Sequence, residues 1–176
     1  LPLATVEQLI GRSRALHMLF RLASQMRVSG GNDYIEFVRK LVNLEAVSAT
    51  NFGDYEFKIF DDFREMREAI MHKDQEVGLS RLVAGYAWPW ASRNDKSAID
   101  IEIDGIQMQW NQTPVDWINS ANSVNEVGSI HTVQGYDLNY AGVIIGADLS
   151  YDEVSRRLVF QRESYFDSKG RENNPR

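Results

Sequence analysis

Cysteine is absent from all 176 residues, which excludes a disulfide framework and any thiolate-held metal site. Long apolar runs are missing too: none approaches the ~18 residues that a spanning helix needs, so no membrane segment is expected and the cytoplasm is the default location. The three histidines, His17, His72 and His131, are far apart in the chain and form no local metal-binding spacing. None of the twelve glycines is followed by lysine, so the phosphate-cradling pattern G-x-x-x-x-G-K-[ST] does not occur and a self-sufficient P-loop ATPase is excluded. G-x-S-x-G and H-E-x-x-H are absent as well, leaving hydrolase and zinc readings without support.

What remains is the profile of a soluble globular protein, with 43% hydrophobic and 25% charged residues and a mean hydropathy of −0.38. The length suits one domain, residues 1–176. The first residue is Leu1, and residues 1–8 lack the charged-then-apolar order of a signal peptide, so the start reads as a cut inside a longer chain and the domain as truncated. A net charge of −6 argues against a simple electrostatic nucleic-acid binder. The charge is uneven, however. Residues 10–27 carry Arg12, Arg14, Arg21 and Arg27 with no acid, whereas residues 53–76 hold eight acids against four bases.

Thr5 followed by Gln8 reads as a capping-box start, with Val6, Leu9 and Ile10 at helical spacing. After the break at Ser29-Gly30-Gly31-Asn32, residues 33–42 read as a second helix with Ile35, Val38, Leu41 and Val42 on one face. Residues 55–60 alternate like a strand, and Asp61 or Asp62 is placed to cap a helix carrying Phe63, Met66 and Ile70 inward. Residues 81–86 form a short buried-type strand that ends at Trp88-Pro89-Trp90. Residues 95–112 read as a β-hairpin insertion: Ile99, Ile101 and Ile103 alternate with acids, and Asp104-Gly105 makes the bend. Thr113-Pro114 predicts a short helix with proline at its first position. Residues 127–131 and 141–146 are further strands, the second apolar throughout as strands covered on both faces are, and residues 151–165 suggest a terminal hairpin. Strands interleaved with helices predict an α/β three-layer domain with a mostly parallel sheet.

Residues 129–146 hold the informative motif, Ser-Ile-His-Thr-Val-Gln-Gly-Tyr-Asp-Leu-Asn-Tyr-Ala-Gly-Val-Ile-Ile-Gly. It resembles motif V of superfamily 1 helicases, which lines the cleft between two RecA-like domains. Leu22-Ala23-Ser24-Gln25-Met26-Arg27 is similar to motif IV of the same helicases, whose arginine reaches the γ-phosphate. With Ala84-Gly85-Tyr86-Ala87-Trp88-Pro89-Trp90, the stretch from about residue 22 to 149 resembles an uncharacterised bacterial family of predicted helicases related to Schlafen-type helicase domains. The closing motif VI arginine of such helicases is not found.

The resemblance implies a RecA-like (P-loop NTPase-type) fold and the second, C-terminal motor domain of an ATP-dependent nucleic-acid helicase or translocase. Arg27 would be the catalytic residue, because an always-charged planar guanidinium stabilises a phosphoryl group in transit. Gln25, Gln134, Gly135 and Asp137 would meet the nucleotide, and His131 and Thr132 the nucleic-acid backbone. Trp88 and Trp90 are candidates to stack unpaired bases. ATP and Mg²⁺ would act in the full-length protein, the Mg²⁺ ligands and phosphate loop coming from an N-terminal RecA-like domain outside these residues. The fragment alone is expected to be inactive. Single-stranded DNA or RNA is the implied partner.

Each assignment has a plainer counterpart. An arginine most often pairs with a surface carboxylate, His131 can be a packed histidine, Gln134-Gly135 only a turn, and the tryptophans core. Ile59-Phe60-Asp61-Asp62 looks like a magnesium-binding strand end but reads better as a helix cap. The rival function is a non-enzymatic nucleic-acid or protein interaction module on a degenerate RecA-like fold. A short link raises one conflict: only residues 132–140 separate His131 from Ala141, which by spacing suggests a hairpin rather than a parallel crossover.

Overall fold

In the computed structural model, which describes residues 2–19, 28–48, 51–167 and 170, the chain divides into two units, Leu1–Glu56 and Phe57–Arg176. The first unit holds α1 (Leu3–Ala15) and α2 (Gly31–Val42). Helix α1 begins two residues before the expected Thr5 cap. Pro2 precedes it in an extended conformation, and its carbonyl accepts from the N–H groups of Thr5 and Val6 at 3.0 and 3.3 Å. Proline serves there because it sets the chain direction and the first N–H groups of a helix lack intrahelical partners.

Helix α2 places Asp33 in its first turn, where a carboxylate faces the positive end of the helix dipole. Its Tyr34 and Phe37 rings pack on Phe52 with centroids 5.5 and 5.3 Å away, and Tyr34 lies 4.6 Å from Tyr55. The strand expected over residues 55–60 does not form. Phe52 and Tyr55 share an isolated bridge, and residues 56–60 belong to no strand among the described residues. Alternation makes a strand only where a neighbour takes up the backbone hydrogen bonds.

In the second unit, Asp62 caps α3 (Phe63–Val77): its Oδ1 accepts from the Glu65 N–H at 3.0 Å, the role that suits an acid at a helix start. Phe63 and Ile70 on α3 are buried. They face a three-stranded parallel sheet of β1 (Ser80–Ala84), β4 (Val127–Ser129) and β5 (Tyr140–Ile144), ordered β4-β1-β5. Beside it stand two antiparallel hairpins, β2 (Ile101–Ile103) with β3 (Ile106–Met108), and β6 (Leu149–Asp152) with β7 (Arg157–Phe160). The bend of the first hairpin is Asp104-Gly105, both at positive φ (51° and 76°), as a two-residue type I′ turn demands. The core joins the sheet to the hairpin through Leu82, Ala84, Val127 and Ile144 with Ile101, Met108 and Trp110. Beyond β3 the chain stays alongside β4: the Val127 N–H donates to the Gln109 carbonyl (2.9 Å) and the Asn111 N–H to the Val127 carbonyl (3.0 Å).

The parallel sheet and antiparallel hairpins make an α/β architecture compatible with a RecA-like fold. Helix α3 covers one sheet face, where Gly142 is required: a Cβ there would fall 2.8 Å from Leu82 Cδ2 and 2.9 Å from Ile70 Cγ1. The expectation that β5 is covered on both faces fails on the other side. Val143 is 62% exposed and Ile145 just beyond it 72%, because two 3₁₀ turns over that face, Trp117–Asn119 and Ser123–Asn125, pack against β4 and β1 instead, with Trp117 on Gly128 and Ser123 on Arg81.

The first of these turns also replaces the helix expected at Thr113-Pro114. Asp116 takes a left-handed conformation (φ 53°) and swings the chain so that Trp117 inserts and its Nε1–H donates to the buried Glu126 carboxylate at 2.7 Å. Burial of a large aromatic with its N–H satisfied outweighs the local helix preference. Nearby, the Arg81 guanidinium, 6% exposed, donates to Asp74 of α3 (2.5 Å), Ser123 Oγ (2.9 Å) and the Ile118 carbonyl (2.5 Å). One buried cation thereby joins helix, sheet and turn, with most of its donors matched.

Candidate functional site

In parallel α/β sheets the strands deliver their functional residues at their carboxyl ends, since the exposed loops begin there while the ladder holds the backbone below. Strand β1 exits into Gly85-Tyr86, β4 into Ile130-His131-Thr132, and β5 into Ile145-Gly146. β4 is shorter than expected: it stops at Ser129, and Ile130 and His131 belong to the turn that follows. The Ser129 carbonyl accepts from the N–H groups of Thr132 (2.9 Å) and Val133 (3.2 Å), a single helical turn. The link then runs to the far side of β1, and β4 and β5 both lie parallel to β1. Residues 130–139 suffice as a crossover because the strands are short: Ser129 pairs with Ala84 and Tyr140 with Ser80, so the link returns only over the length of β1, and the hairpin suggested by spacing does not occur.

The β1 and β4 exits meet at a corner built around Tyr86. Its hydroxyl donates to Ser129 Oγ at 3.1 Å, Ser129 Oγ lies 2.9 Å from Thr132 Oγ1, and the Thr132 N–H donates to Ser129 Oγ at 3.3 Å. The Tyr86 ring lies 5.6 Å from the His131 ring at 42°. Behind it stand Trp110 at 5.7 Å and Trp90 at 6.3 Å, the two indoles being 6.2 Å apart. The chain near its end closes over this corner. The Phe166 N–H donates to the Tyr86 carbonyl (2.7 Å), and Asp167 Oδ2 is 3.6 Å from His131 Nε2, an ion pair whenever the imidazole is protonated. Burial, and then the charge of Asp167 beside it, push the Tyr165 hydroxyl above its ordinary pKa.

The sequence-derived candidates distribute as follows. His131 is exposed and Thr132 half-buried, adjacent at the corner. Gln134, Gly135 and Asp137 are exposed in the crossover, where Gly135 sits at φ 93°, a conformation that favours glycine. Trp90 is half-buried against Tyr86 and Trp110, and Trp88 is half-buried against the core and Gly146. Gln25 and Arg27 lie outside the described residues. Among the described residues, no group of three His, Asp or Glu is placed to hold a metal ion, and no helix is long and apolar enough to cross a membrane.

Three corner residues were missed from sequence. Tyr86 stood just before two more conspicuous tryptophans, Trp88 and Trp90, Ser129 read only as the start of a motif, and Asp167 gave no signal because its approach to His131 is purely tertiary.

The comparisons with known proteins are consistent with this picture. The model of the family described as Schlafen group 3, DNA/RNA helicase domain, matches residues 3–176. A curated relative, "Uncharacterized protein YPL245W" of Saccharomyces cerevisiae, is 33% identical over 168 residues, covering 88% of this chain. The match takes in 37% of the relative's length, so the chain corresponds to well under half of it. No solved structure matches the chain.

Proposed function

The chain belongs to the Schlafen group 3 DNA/RNA helicase domain family, and from that premise we propose that it is the second RecA-like domain of a superfamily 1-type, ATP-driven helicase or translocase. The observation that carries this reading is the corner at the carboxyl ends of β1 and β4, where exposed His131 and half-buried Thr132 project from a turn anchored by buried Ser129. A strand end of this kind offers N–H, hydroxyl and imidazole groups to a phosphodiester without requiring a basic protein overall. In a three-layer arrangement, the exposed Val143–Ile145 side of β5 would face further layers supplied by the rest of the protein.

The crossover residues Gln134, Gly135 and Asp137 fit a nucleotide edge: an amide that both donates and accepts, a backbone open to close approach, and a carboxylate that accepts from a ribose hydroxyl. Bound ATP with Mg²⁺ would supply the energy of phosphoryl transfer. The phosphate loop and Mg²⁺ ligands would come from another RecA-like domain, and the isolated residues 1–176 would turn over no ATP. Arg27 would stabilise the charge of the transferring phosphoryl group. Single-stranded DNA or RNA would run along the corner, with Trp88 or Trp90 adding a stacked base.

Turnover of ATP by the whole protein, measured with and without single-stranded DNA and RNA, tests the reading. Stimulation is expected, and Arg27→Ala is expected to lower turnover by about three orders of magnitude while nucleotide still binds. Nucleic-acid binding with no ATP turnover in the intact protein would favour a non-enzymatic module instead.

A further inference from the structure

The hydroxyl chain at the corner has a direction, and following its protons reveals it. Ser129 Oγ receives the Tyr86 hydroxyl proton (3.1 Å) and the Thr132 N–H (3.3 Å). The Thr132 N–H is shared with the nearer Ser129 carbonyl at 2.9 Å, so the direction rests on the buried Ser129 proton: with the Tyr86 hydroxyl donating to Ser129, the acceptor left for that proton is Thr132 Oγ1 at 2.9 Å. Ser129 is 1% exposed, so water does not compete for these positions. Thr132, half-buried beside exposed His131, therefore accepts from Ser129, which leaves its own proton for a partner outside the buried relay.

We propose that Tyr86 is a positioning residue that polarises the Ser129–Thr132 relay so that Thr132 presents a hydrogen-bond donor outward, selecting an anionic oxygen acceptor such as a phosphodiester oxygen. Without the tyrosine hydroxyl, a lone pair on Ser129 opens and Thr132 can turn its proton inward, so the corner loses its committed donor. The ring of Tyr86 has a separate part, holding the His131 imidazole beside that donor. This inference rests on the nucleic-acid reading of the corner.

The test measures binding of fluorescent oligo(dT) and oligo(U) to the whole protein by anisotropy, with the melting temperature of each variant recorded. Tyr86→Phe keeps the ring and removes the hydroxyl. It is expected to weaken binding about threefold to tenfold, the net worth of one hydrogen bond, with the melting temperature nearly unchanged. Thr132→Val should weaken binding by a similar factor, Thr132→Ser should retain it, and Tyr86→Phe combined with Thr132→Val should bind no worse than Thr132→Val alone, because both act through one proton. Wild-type binding by Tyr86→Phe while His131→Ala is impaired overturns the relay and leaves the nucleic-acid site standing. Multiplying losses in the double variant, or a Tyr86→Phe defect that Thr132→Ser shares, overturn it as well. If neither His131→Ala nor Thr132→Val affects binding, the nucleic-acid reading itself fails and the relay with it.

Discussion

The two units use aromatic side chains in opposite ways. In Leu1–Glu56, Tyr34, Phe37, Phe52 and Tyr55 form a half-exposed cluster on one side of α2, and none of the unit's described apolar side chains is fully buried. In Phe57–Arg176, Trp110, Trp90, Tyr86 and His131 form a column whose inner end is completely buried and whose outer end is exposed. The first arrangement covers a helix. The second connects a close-packed core to a strand exit, so that the positions of the outer groups are inherited from the rigidity of the inner ones.

Three substitutions break or sharpen this contrast. The largest effect belongs to Trp110→Ala at the base of the column, 0% exposed. Loss of about 3–5 kcal/mol is expected in a denaturant titration, followed through the remaining tryptophans Trp88, Trp90 and Trp117, which all lie in the second unit. A loss below ~1 kcal/mol would mean that the column is not anchored in the core.

Asp74→Ala comes next. It leaves the Arg81 guanidinium without its carboxylate but with Ser123 and the Ile118 carbonyl still in place. Breaking a buried pair is worth ~3–5 kcal/mol, and since the Asp74 side chain is 22% exposed we expect about 2–3 kcal/mol in the same titration. A smaller loss for Arg81→Met than for Asp74→Ala would locate the penalty in the stranded charge rather than in the lost attraction.

Phe52→Ala in the first unit is expected to have the smallest effect, about 1–2 kcal/mol, because its half-exposed ring gives up edge-to-face contacts but little transfer energy. Hydrogen exchange of the α2 amides reads it directly. A loss as large as that of Trp110→Ala would erase the distinction between the two clusters.

The parts of the fold that were legible in the sequence are those with local causes. Asp62 as a cap, the Asp104-Gly105 bend, the strands around Leu82 and Val143 and the closing hairpin follow from capping, turn chemistry and apolar runs. The misreadings share a different cause. Alternation over residues 55–60 did not place that segment in a strand, the helix expected at Pro114 yielded to burial of Trp117, and the apolar pattern of Ala141, Val143 and Ile145 did not reveal which side α3 would cover.

At the site, the sequence pointed to His131 and Thr132 through the resemblance of residues 129–146 to helicase motif V, whose first residues meet nucleic acid. It did not disclose Tyr86, Ser129 or Asp167 as their neighbours.

Composition and pattern alone therefore determined that these 176 residues carry an α/β pattern and no G-x-x-x-x-G-K-[ST] stretch, with conspicuous polar groups at one strand end. Tertiary structure decided what those groups can do. The order β4-β1-β5 sets the exits of β1 and β4 side by side, and only that adjacency lets the Tyr86 hydroxyl reach Ser129. Residues 86 and 129 are remote in the chain, and no local rule couples them. A parallel register, which is a property of the whole sheet, gives Thr132 its donor and its direction.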